Sequence, residues 1–285
     1  MHKTENIGFC FGVQRAISMA ESLLAEHGEI YVTGDLVHNS VVMERLERIG
    51  MKILDGRALP YDSVVLIQAH GAPEELVAKL ERNGNEIVDG TCPIVKKSFH
   101  TVVETGRSGS INLVFGKKTH PEMIALKSMA PDAEIFEDMA SLESILSNVA
   151  SERDRSYVFT AQTTKPLSVF SEYAAKITSS LFMFQRVIVY NTICDATISR
   201  EKEIRDKALE TDCVVIIGGE KSSNTRKLYE IARSVNENSF LVHGIEDVEE
   251  LREKIFQFNT VVLGSGTSTP LLQVEEIQNY ISSGM

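Results

Sequence analysis

The fold is decided by a stretch that reads Cys213-Val214-Val215-Ile216-Ile217, continues through the polar turn Ser222-Ser223-Asn224, and ends in an amphipathic run over 225–236. A short β-branched run, a polar turn and an amphipathic helix form the repeating unit of an α/β protein. The same order recurs at 64–68 before 74–82, at 111–115 before 122–129, and at 261–263 before 271–282. The sequence therefore predicts an α/β fold with mainly parallel sheets.

The turns that follow the predicted strands are small and polar. In parallel sheets the chain leaves each strand at its carboxyl end, and ligands collect there beside helix N-termini. The turns in question contain His38, His70, Cys92, His120, Thr163, Thr164, Cys194, Ser222, Ser223, Asn224 and Ser268, and Cys10 lies in a similar turn near the start of the chain. We therefore expect these residues to include the functional site.

The spacing of these turns indicates an internal repeat. His38, His120 and Ser222 each lie 28 positions after a cysteine, namely Cys10, Cys92 and Cys194. A further polar turn follows each cysteine by 60 to 74 positions, at His70, at Thr163-Thr164 and at Ser268. This pattern predicts three diverged α/β domains, over 1–91, 92–191 and 192–285, with the C-terminal segment packing on the first domain and the three cysteines converging.

The four cysteines fall into two groups. Cys213 lies inside an apolar strand, where a thiol behaves as a small buried hydrophobic group. Cys10, Cys92 and Cys194 lie in turns that open helices. Three thiolates from distant points in the chain suit a metal site with one open position: an iron–sulfur cluster would leave one iron for substrate, and a zinc ion would leave a water. Residue types and spacing do not choose between the two.

Composition excludes several classes of protein. The chain has 29 Lys and Arg against 40 Asp and Glu, a formal charge of -11, which opposes general attraction to nucleic acid or an anionic membrane. We find no apolar run of about 18 residues and no signal peptide, and expect a cytoplasmic protein. Neither a dinucleotide-binding glycine motif nor a Walker loop is present.

The polar turns nevertheless offer many donors to an oxyanion. His38, His70 and His120, with Ser222, Ser223, Asn224 and Ser268, could surround a group of the size of a diphosphate. Glu122 follows His120 at the predicted start of a helix. A carboxylate there most often only interacts with the helix dipole, but beside bound anions its pKa would rise and it could donate a proton.

Nine motifs of the chain resemble, in order, those of the 4-hydroxy-3-methylbut-2-enyl diphosphate reductase family. The motifs are Gly8-Phe9-Cys10-Phe11-Gly12, Leu36-Val37-His38-Asn39, Ala69-His70-Gly71, Thr91-Cys92-Pro93, His120-Pro121-Glu122, Gln162-Thr163-Thr164, Asn191-Thr192-Ile193-Cys194, Ser222-Ser223-Asn224-Thr225 and Ser268-Thr269-Pro270. They run from residue 8 to residue 270, so the resemblance covers nearly the whole chain.

The resemblance implies three small α/β domains with pseudo-threefold symmetry around a central 4Fe-4S cluster. On this basis Cys10, Cys92 and Cys194 hold three irons, and the fourth binds the substrate hydroxyl. Glu122 is the proton donor, with Thr163, Thr164 and His120 also catalytic. The diphosphate substrate is bound by His38, His70, His120, Thr164, Ser222, Ser223, Asn224 and Ser268.

The reaction implied is reductive dehydroxylation of (E)-4-hydroxy-3-methylbut-2-enyl diphosphate to isopentenyl and dimethylallyl diphosphates, with electrons from a donor such as ferredoxin or flavodoxin. Some positions depart from the family pattern, among them Gln68, Met123, Glu201 and Gly264. A zinc-dependent hydrolase and a non-enzymatic iron–sulfur sensor remain the alternatives.

Overall fold

The computed structural model describes residues 2–56, 58–149, 155–181, 186–220 and 222–284. Its strands form three four-stranded sheets. The first contains, in spatial order, β3 (Met51–Ile53), β2 (Ile30–Val32), β4 (Val64–Ile67) and β5 (Glu86–Asp89). The second contains β7 (Glu134–Phe136), β6 (Ile111–Phe115), β8 (Ser156–Ala161) and β9 (Arg186–Val189). The third contains β11 (Ser239–Val242), β10 (Cys213–Ile217), β12 (Val261–Ser265) and β1 (His2–Lys3).

Helices connect these strands. They are α1 (Phe11–His27), α2 (Ser40–Arg48), α3 (Glu74–Arg82), α4 (Pro93–Arg107), α5 (Pro121–Met129), α6 (Met139–Val149), α7 (Leu167–Ser180), α8 (Asp195–Glu210), α9 (Ser223–Val235), α10 (Ile245–Glu250), α11 (Arg252–Ile255) and α12 (Leu271–Gly284). None of those in the described ranges combines the length and the apolar character that a membrane crossing requires. The predicted α/β class with parallel strands is confirmed, and the predicted helices differ from the observed ones by two residues or fewer at each end.

The three sheets share one strand order. In each sheet, one edge strand follows its spatial neighbour directly in the sequence: β3 follows β2, β7 follows β6, and β11 follows β10. The fourth strand is the one that leads to a cysteine: β5 precedes Cys92, β9 precedes Cys194, and β1 precedes Cys10. The third sheet is therefore completed by the first strand of the chain, which pairs in parallel with β12.

Burial on both faces explains why the strands read as continuous apolar runs. In the third sheet, Val215 and Leu263 face a cluster that includes Val274 of α12, and Val214 and Ile216 face the opposite cluster. Such two-sided burial is typical of parallel sheets with crossover helices. Cys213 is fully buried in the first cluster, as predicted, and burial raises the pKa of its thiol to about 12.

Contacts between Cα atoms divide the chain into two compact units. One consists of Met1–Leu24, Asp35–Met51 and Asp195–Met285, and the other of Ala25–Gly34 and Lys52–Cys194. The strands of the third sheet lie in the former, and those of the second sheet in the latter. The two domain boundaries drawn from the repeat, at 91 and 191, stay a prediction.

Gly264 provides a test of the packing between α8 and the third sheet. A Cβ atom added at Gly264 of β12 would overlap Ile204 Cδ1 of α8 and lie 3.1 Å from Ile216 Cδ1 of β10. We expect Gly264→Ala to destabilise the fold by about 1–3 kcal/mol, because the closely packed interior cannot accept the methyl group. Ile204→Val removes the overlapping methyl, so the double variant should recover part of the loss in a thermal-unfolding double-mutant cycle. Strictly additive losses would contradict this packing.

Candidate active site

Each of the three cysteines that precede a helix is fixed through its backbone amide. The bonds run from Cys10 N to the Thr267 carbonyl at 3.1 Å, from Cys92 N to the Ala69 carbonyl at 2.9 Å, and from Cys194 N to the Thr163 carbonyl at 2.8 Å. The acceptors lie in the predicted polar turns that contain Ser268, His70 and Thr163 themselves. Each of these cysteines therefore lies against a strand-end turn that carries candidate substrate ligands. In each case the cysteine and its turn belong to the same compact unit.

The turns before two of the cysteines have the same local geometry. Asp89 Oδ1 accepts from the Thr91 amide at 2.9 Å, and Asn191 Oδ1 accepts from the Ile193 amide at 3.0 Å. In both, the acceptor lies three positions before the cysteine, and its side chain closes a turn two residues ahead. The cysteine is thereby delivered to the first turn of α4 or α8, beside the positive end of the helix dipole. Cys10, Cys92 and Cys194 are half-buried thiols, in contrast to the fully buried Cys213.

Glu122 is a buried titratable group with a raised pKa, and it lies in the second of the two compact units, which consists of Ala25–Gly34 and Lys52–Cys194. Its side chain is completely buried, with Oε1 accepting from the Thr163 amide and Oε2 accepting from the Thr163 hydroxyl, both at 2.8 Å. Loss of solvation raises the pKa of Glu122 to about 7, and the two bonds from Thr163 lower it only in part. A carboxyl group with this pKa can hold a proton at neutral pH and release it.

His120 caps the helix that carries Glu122. Its Nδ1 accepts from the Glu122 amide at 3.2 Å, so the neutral ring must carry its proton on Nε2. The His120 ring lies edge-on to that of His70, with centroids 4.9 Å apart. Two imidazoles, the Glu122 carboxyl and the Thr163 hydroxyl are thus brought together at the strand ends of the second unit.

Gln162 has a role that the sequence did not reveal. It is buried, its Nε2 donates to the Thr164 hydroxyl at 2.8 Å, and its Oε1 accepts from the Lys117 amide at 3.0 Å. The side chain therefore ties the turn after β8 to the turn after β6 and fixes the orientation of the Thr164 hydroxyl. The signals in the sequence were a polar residue directly after a buried strand and the motif Gln162-Thr163-Thr164, and neither identifies these partners.

Two polar turns of the unit formed by Met1–Leu24, Asp35–Met51 and Asp195–Met285 lie at the start of α9 and after β12. The Ser222 hydroxyl caps α9 by accepting from the Thr225 amide at 3.2 Å. Asn224 Oδ1 is buried and has no hydrogen-bond partner within the described part of the chain, which suits a group that awaits a ligand. Ser268 is buried, and the side chain of Ser223 lies outside the described residues.

The turn that contains His38 packs against the same end of the third sheet. A Cβ atom at Gly219, which precedes Ser222, would collide with the His38 carbonyl oxygen. Asn39 caps α2 and also donates to the Gln273 side chain at 3.2 Å. The absence of a side chain at Gly219 therefore allows the backbone of the His38 turn to approach the turn that leads to Ser222.

Comparison with known proteins identifies the family of this chain. A profile of the family described as LytB protein matches residues 1–282. The chain belongs to the LytB protein family. This finding confirms the resemblance inferred from the nine motifs.

Several LytB proteins with established names resemble the chain over nearly its whole length. The 4-hydroxy-3-methylbut-2-enyl diphosphate reductase of Thermotoga neapolitana is 38% identical over 96% of this chain and 91% of its own. The enzyme of that name from Aquifex aeolicus is 34% identical over 97% and 94%.

Solved structures give the same result. A structure of (E)-4-hydroxy-3-methyl-but-2-enyl diphosphate reductase, described as the terminal enzyme of the non-mevalonate pathway, superimposes with a TM-score of 0.75 at 31% identity, over 99% of both chains. The E-1-hydroxy-2-methyl-but-2-enyl-4-diphosphate reductase of Plasmodium falciparum superimposes with a TM-score of 0.88 at 25% identity, over 98% of this chain and 86% of its own. The LytB fold of the chain is therefore that of known reductases.

The protonation of Glu122 can be measured directly. We expect infrared difference spectra to contain a protonated carboxyl band that titrates with a midpoint near pH 7 and is absent from Glu122→Gln. Because the folded pKa exceeds the ordinary value of 4.5, the proton stabilises the fold fully below about pH 4.5, and this stabilisation is lost as the pH rises through 7. A midpoint that stays near 4.5 would contradict the desolvation of this site.

Proposed function

We propose that this LytB protein reduces (E)-4-hydroxy-3-methylbut-2-enyl diphosphate, with two electrons and two protons, to isopentenyl and dimethylallyl diphosphates and water. The observation that carries the proposal is the nearly full-length similarity, at 38% identity, to a reductase of that name. The buried Glu122 beside Thr163 supports it, because expulsion of hydroxide requires a proton at a site shielded from solvent.

We infer that Cys10, Cys92 and Cys194 hold a 4Fe-4S cluster. The three half-buried thiols, each fixed by its amide at the start of a helix, fit the thiolate ligands that such clusters require. When bound, the cluster would supply electrons one at a time together with a Lewis-acidic iron, which side chains alone cannot do. Cys213 does not fit this role, since it is enclosed in the core of the third sheet.

The substrate diphosphate would be bound by histidine, threonine, serine and asparagine donors rather than by lysine or arginine. His38, His70, His120, Thr164, Ser222, Ser223, Asn224 and Ser268 are the proposed ligands, and Asn224 would donate to the diphosphate through its side-chain Nδ2. In a chain with a net charge of -11, a buried diphosphate would be strongly unfavourable without such local donors.

Glu122 would deliver the proton that converts the hydroxyl into water. The Thr163 amide and hydroxyl hold both carboxylate oxygens, so the orientation of the carboxyl group is set before substrate binds. His120, with its proton on Nε2, would donate to the substrate from the start of the same helix. Gln162 would act as a positioning residue for Thr164.

The electrons must come from a partner, and a ferredoxin or a flavodoxin is the donor we propose. The acidic net charge supports a protein that binds neither nucleic acid nor an anionic membrane surface. We propose that it works in the cytoplasm.

The cluster can be tested with a series of cysteine variants. Anaerobically purified protein should contain about four irons and four sulfides per chain. Cys92→Ser should lose most of the iron and the reduction of the diphosphate by a reduced dye, whereas the matched control Cys213→Ala should retain both. Stoichiometric zinc in place of iron, or turnover without a reductant, would instead indicate a hydrolase.

The role of Glu122 can be tested through the pH profile. Since the protonated acid is the active form, kcat/KM should fall as the pH rises through about 7. Thr163→Val removes a bond that lowers the pKa of Glu122, so the falling limb should move to higher pH.

Glu122→Gln should lower kcat by about a hundredfold or more, because general acid catalysis contributes at least that factor. Full turnover in Glu122→Gln at every pH would contradict the proton-donor role. A bound cluster without any reduction of the diphosphate by the unmodified protein would instead favour a sensor.

A further inference from the structure

Arg200 is a buried arginine of α8 that the reaction as described does not use. Only 4% of the residue is exposed to solvent. Nη2 donates to the Gly8 carbonyl at 2.8 Å, and Nη1 donates to the Ser265 carbonyl at 2.9 Å. Nη1 also lies 3.4 Å from the Ser265 hydroxyl and 3.4 Å from the Gly266 carbonyl. One guanidinium group thus bridges two backbone segments that are far apart in the sequence.

Both segments lead to residues of the proposed site. Gly8 precedes Cys10 by two positions, and Gly266 precedes Ser268 by two. The segments are also joined directly, through the Gly8 amide to the Ser265 hydroxyl at 2.9 Å and the Cys10 amide to the Thr267 carbonyl. Arg200 joins the same two segments through the carbonyls of Gly8 and Ser265. Its loss would therefore leave the Cys10 turn held by fewer contacts.

The repeat explains why this position carries an arginine. Arg200 lies six positions after Cys194, and the corresponding positions after Cys10 and Cys92 are the buried small residues Ala16 and Ser98. In the first two sheets the chain runs from the third-placed strand through a single helix into the fourth, from β4 through α3 to β5 and from β8 through α7 to β9. In the third sheet, the fourth strand is β1, which is 260 positions before its partner in β12.

The same helix also holds the segment between β1 and the Cys10 turn. Glu203, one turn after Arg200, accepts from the Asn6 amide at 3.0 Å and from the Asn6 side chain at 2.9 Å, and it also accepts from the Glu5 amide. Together, the two side chains of α8 form hydrogen bonds with Glu5, Asn6 and Gly8. Of the two, only Arg200 also reaches the end of β12.

We propose that Arg200 is a positioning residue that holds the Cys10 turn in register with the Ser268 turn, in the one repeat where no short connection does so. The inference rests on the proposed function, because it treats Cys10 and Ser268 as residues of the active site. It does not require turnover to be tested, because amide exchange reports directly on the Cys10 turn.

Hydrogen–deuterium exchange on the full-length chain tests it. In Arg200→Met, the amides of residues 4–12 should exchange about tenfold faster, the ratio that corresponds to one lost hydrogen bond to a charged group. Peptides that cover 88–95, around Cys92, and 213–217, in the core of the third sheet, should be unchanged. Arg200→Lys should give an intermediate rate, since one ammonium group cannot bridge both carbonyls as the planar guanidinium does.

Arg205→Met is the matched control, because Arg205 is an exposed arginine on the same helix. Unchanged exchange over 4–12 in Arg200→Met would overturn the proposal. Equal acceleration of all peptides in both Arg200 variants would also overturn it, since Arg200 would then be a general contributor to the fold.

Turnover gives a second readout. Arg200→Met should raise KM for the diphosphate about tenfold relative to Arg205→Met, with partial recovery in Arg200→Lys, because the Ser268 turn is no longer held. An unchanged KM would overturn the link to Ser268. Absence of turnover in the unmodified protein would refute the proposed function and leave the exchange result to decide the role of Arg200.

Discussion

The structure depends on a bond made three times, in which the amide of a cysteine donates to a carbonyl at the end of a parallel strand. A strand end leaves its carbonyl without a partner in the sheet, and the first residues of a helix leave amides without partners in the helix. Joining the two satisfies both groups and sets the cysteine, the helix start and the polar turn at one place. The chemistry of the chain is concentrated where regular structure leaves polar backbone groups unpaired.

Glu122 shows how the same arrangement controls a proton. The apolar packing of α5, with Met123 and Leu126 fully buried beside it, removes water from the carboxyl group and raises its pKa. Thr163 opposes this effect with two hydrogen bonds but does not cancel it. The pKa near neutrality is therefore the balance of desolvation and hydrogen bonding at one residue, and it needs no charged neighbour.

Much of the fold was predictable because the central strands are buried on both faces. Runs such as Cys213–Ile217 and Ile111–Phe115 have no alternative to burial, and their observed bounds equal the predicted ones. Strand β1 was not predicted, since His2 and Lys3 are exposed and carry no apolar pattern. Only the distant β12 makes them a strand.

The candidate site was predictable to a similar extent. The polar turns and the spacing of 28 positions located the cysteines, histidines and Glu122, because strand ends are readable from the sequence. The roles of Gln162 and Arg200 were not, since their partners lie up to 192 positions away and hydrogen bonding to a backbone amide or carbonyl does not depend on the type of the partner residue. The burial of Glu122 also depends on packing that periodicity does not resolve.

The pairing of β1 with β12 has a consequence for the order in which the protein folds. A ribosome makes β1 long before β12, so the third sheet cannot be completed until almost all of the chain described here has been synthesised. His2 and Val262 are 260 positions apart, whereas the paired Val64 and Glu86 are 22 apart, and closing the longer loop costs about 2 kcal/mol more. The Cys10 turn, although it is translated first, is thus the last of the three cysteine turns to acquire its carbonyl partner.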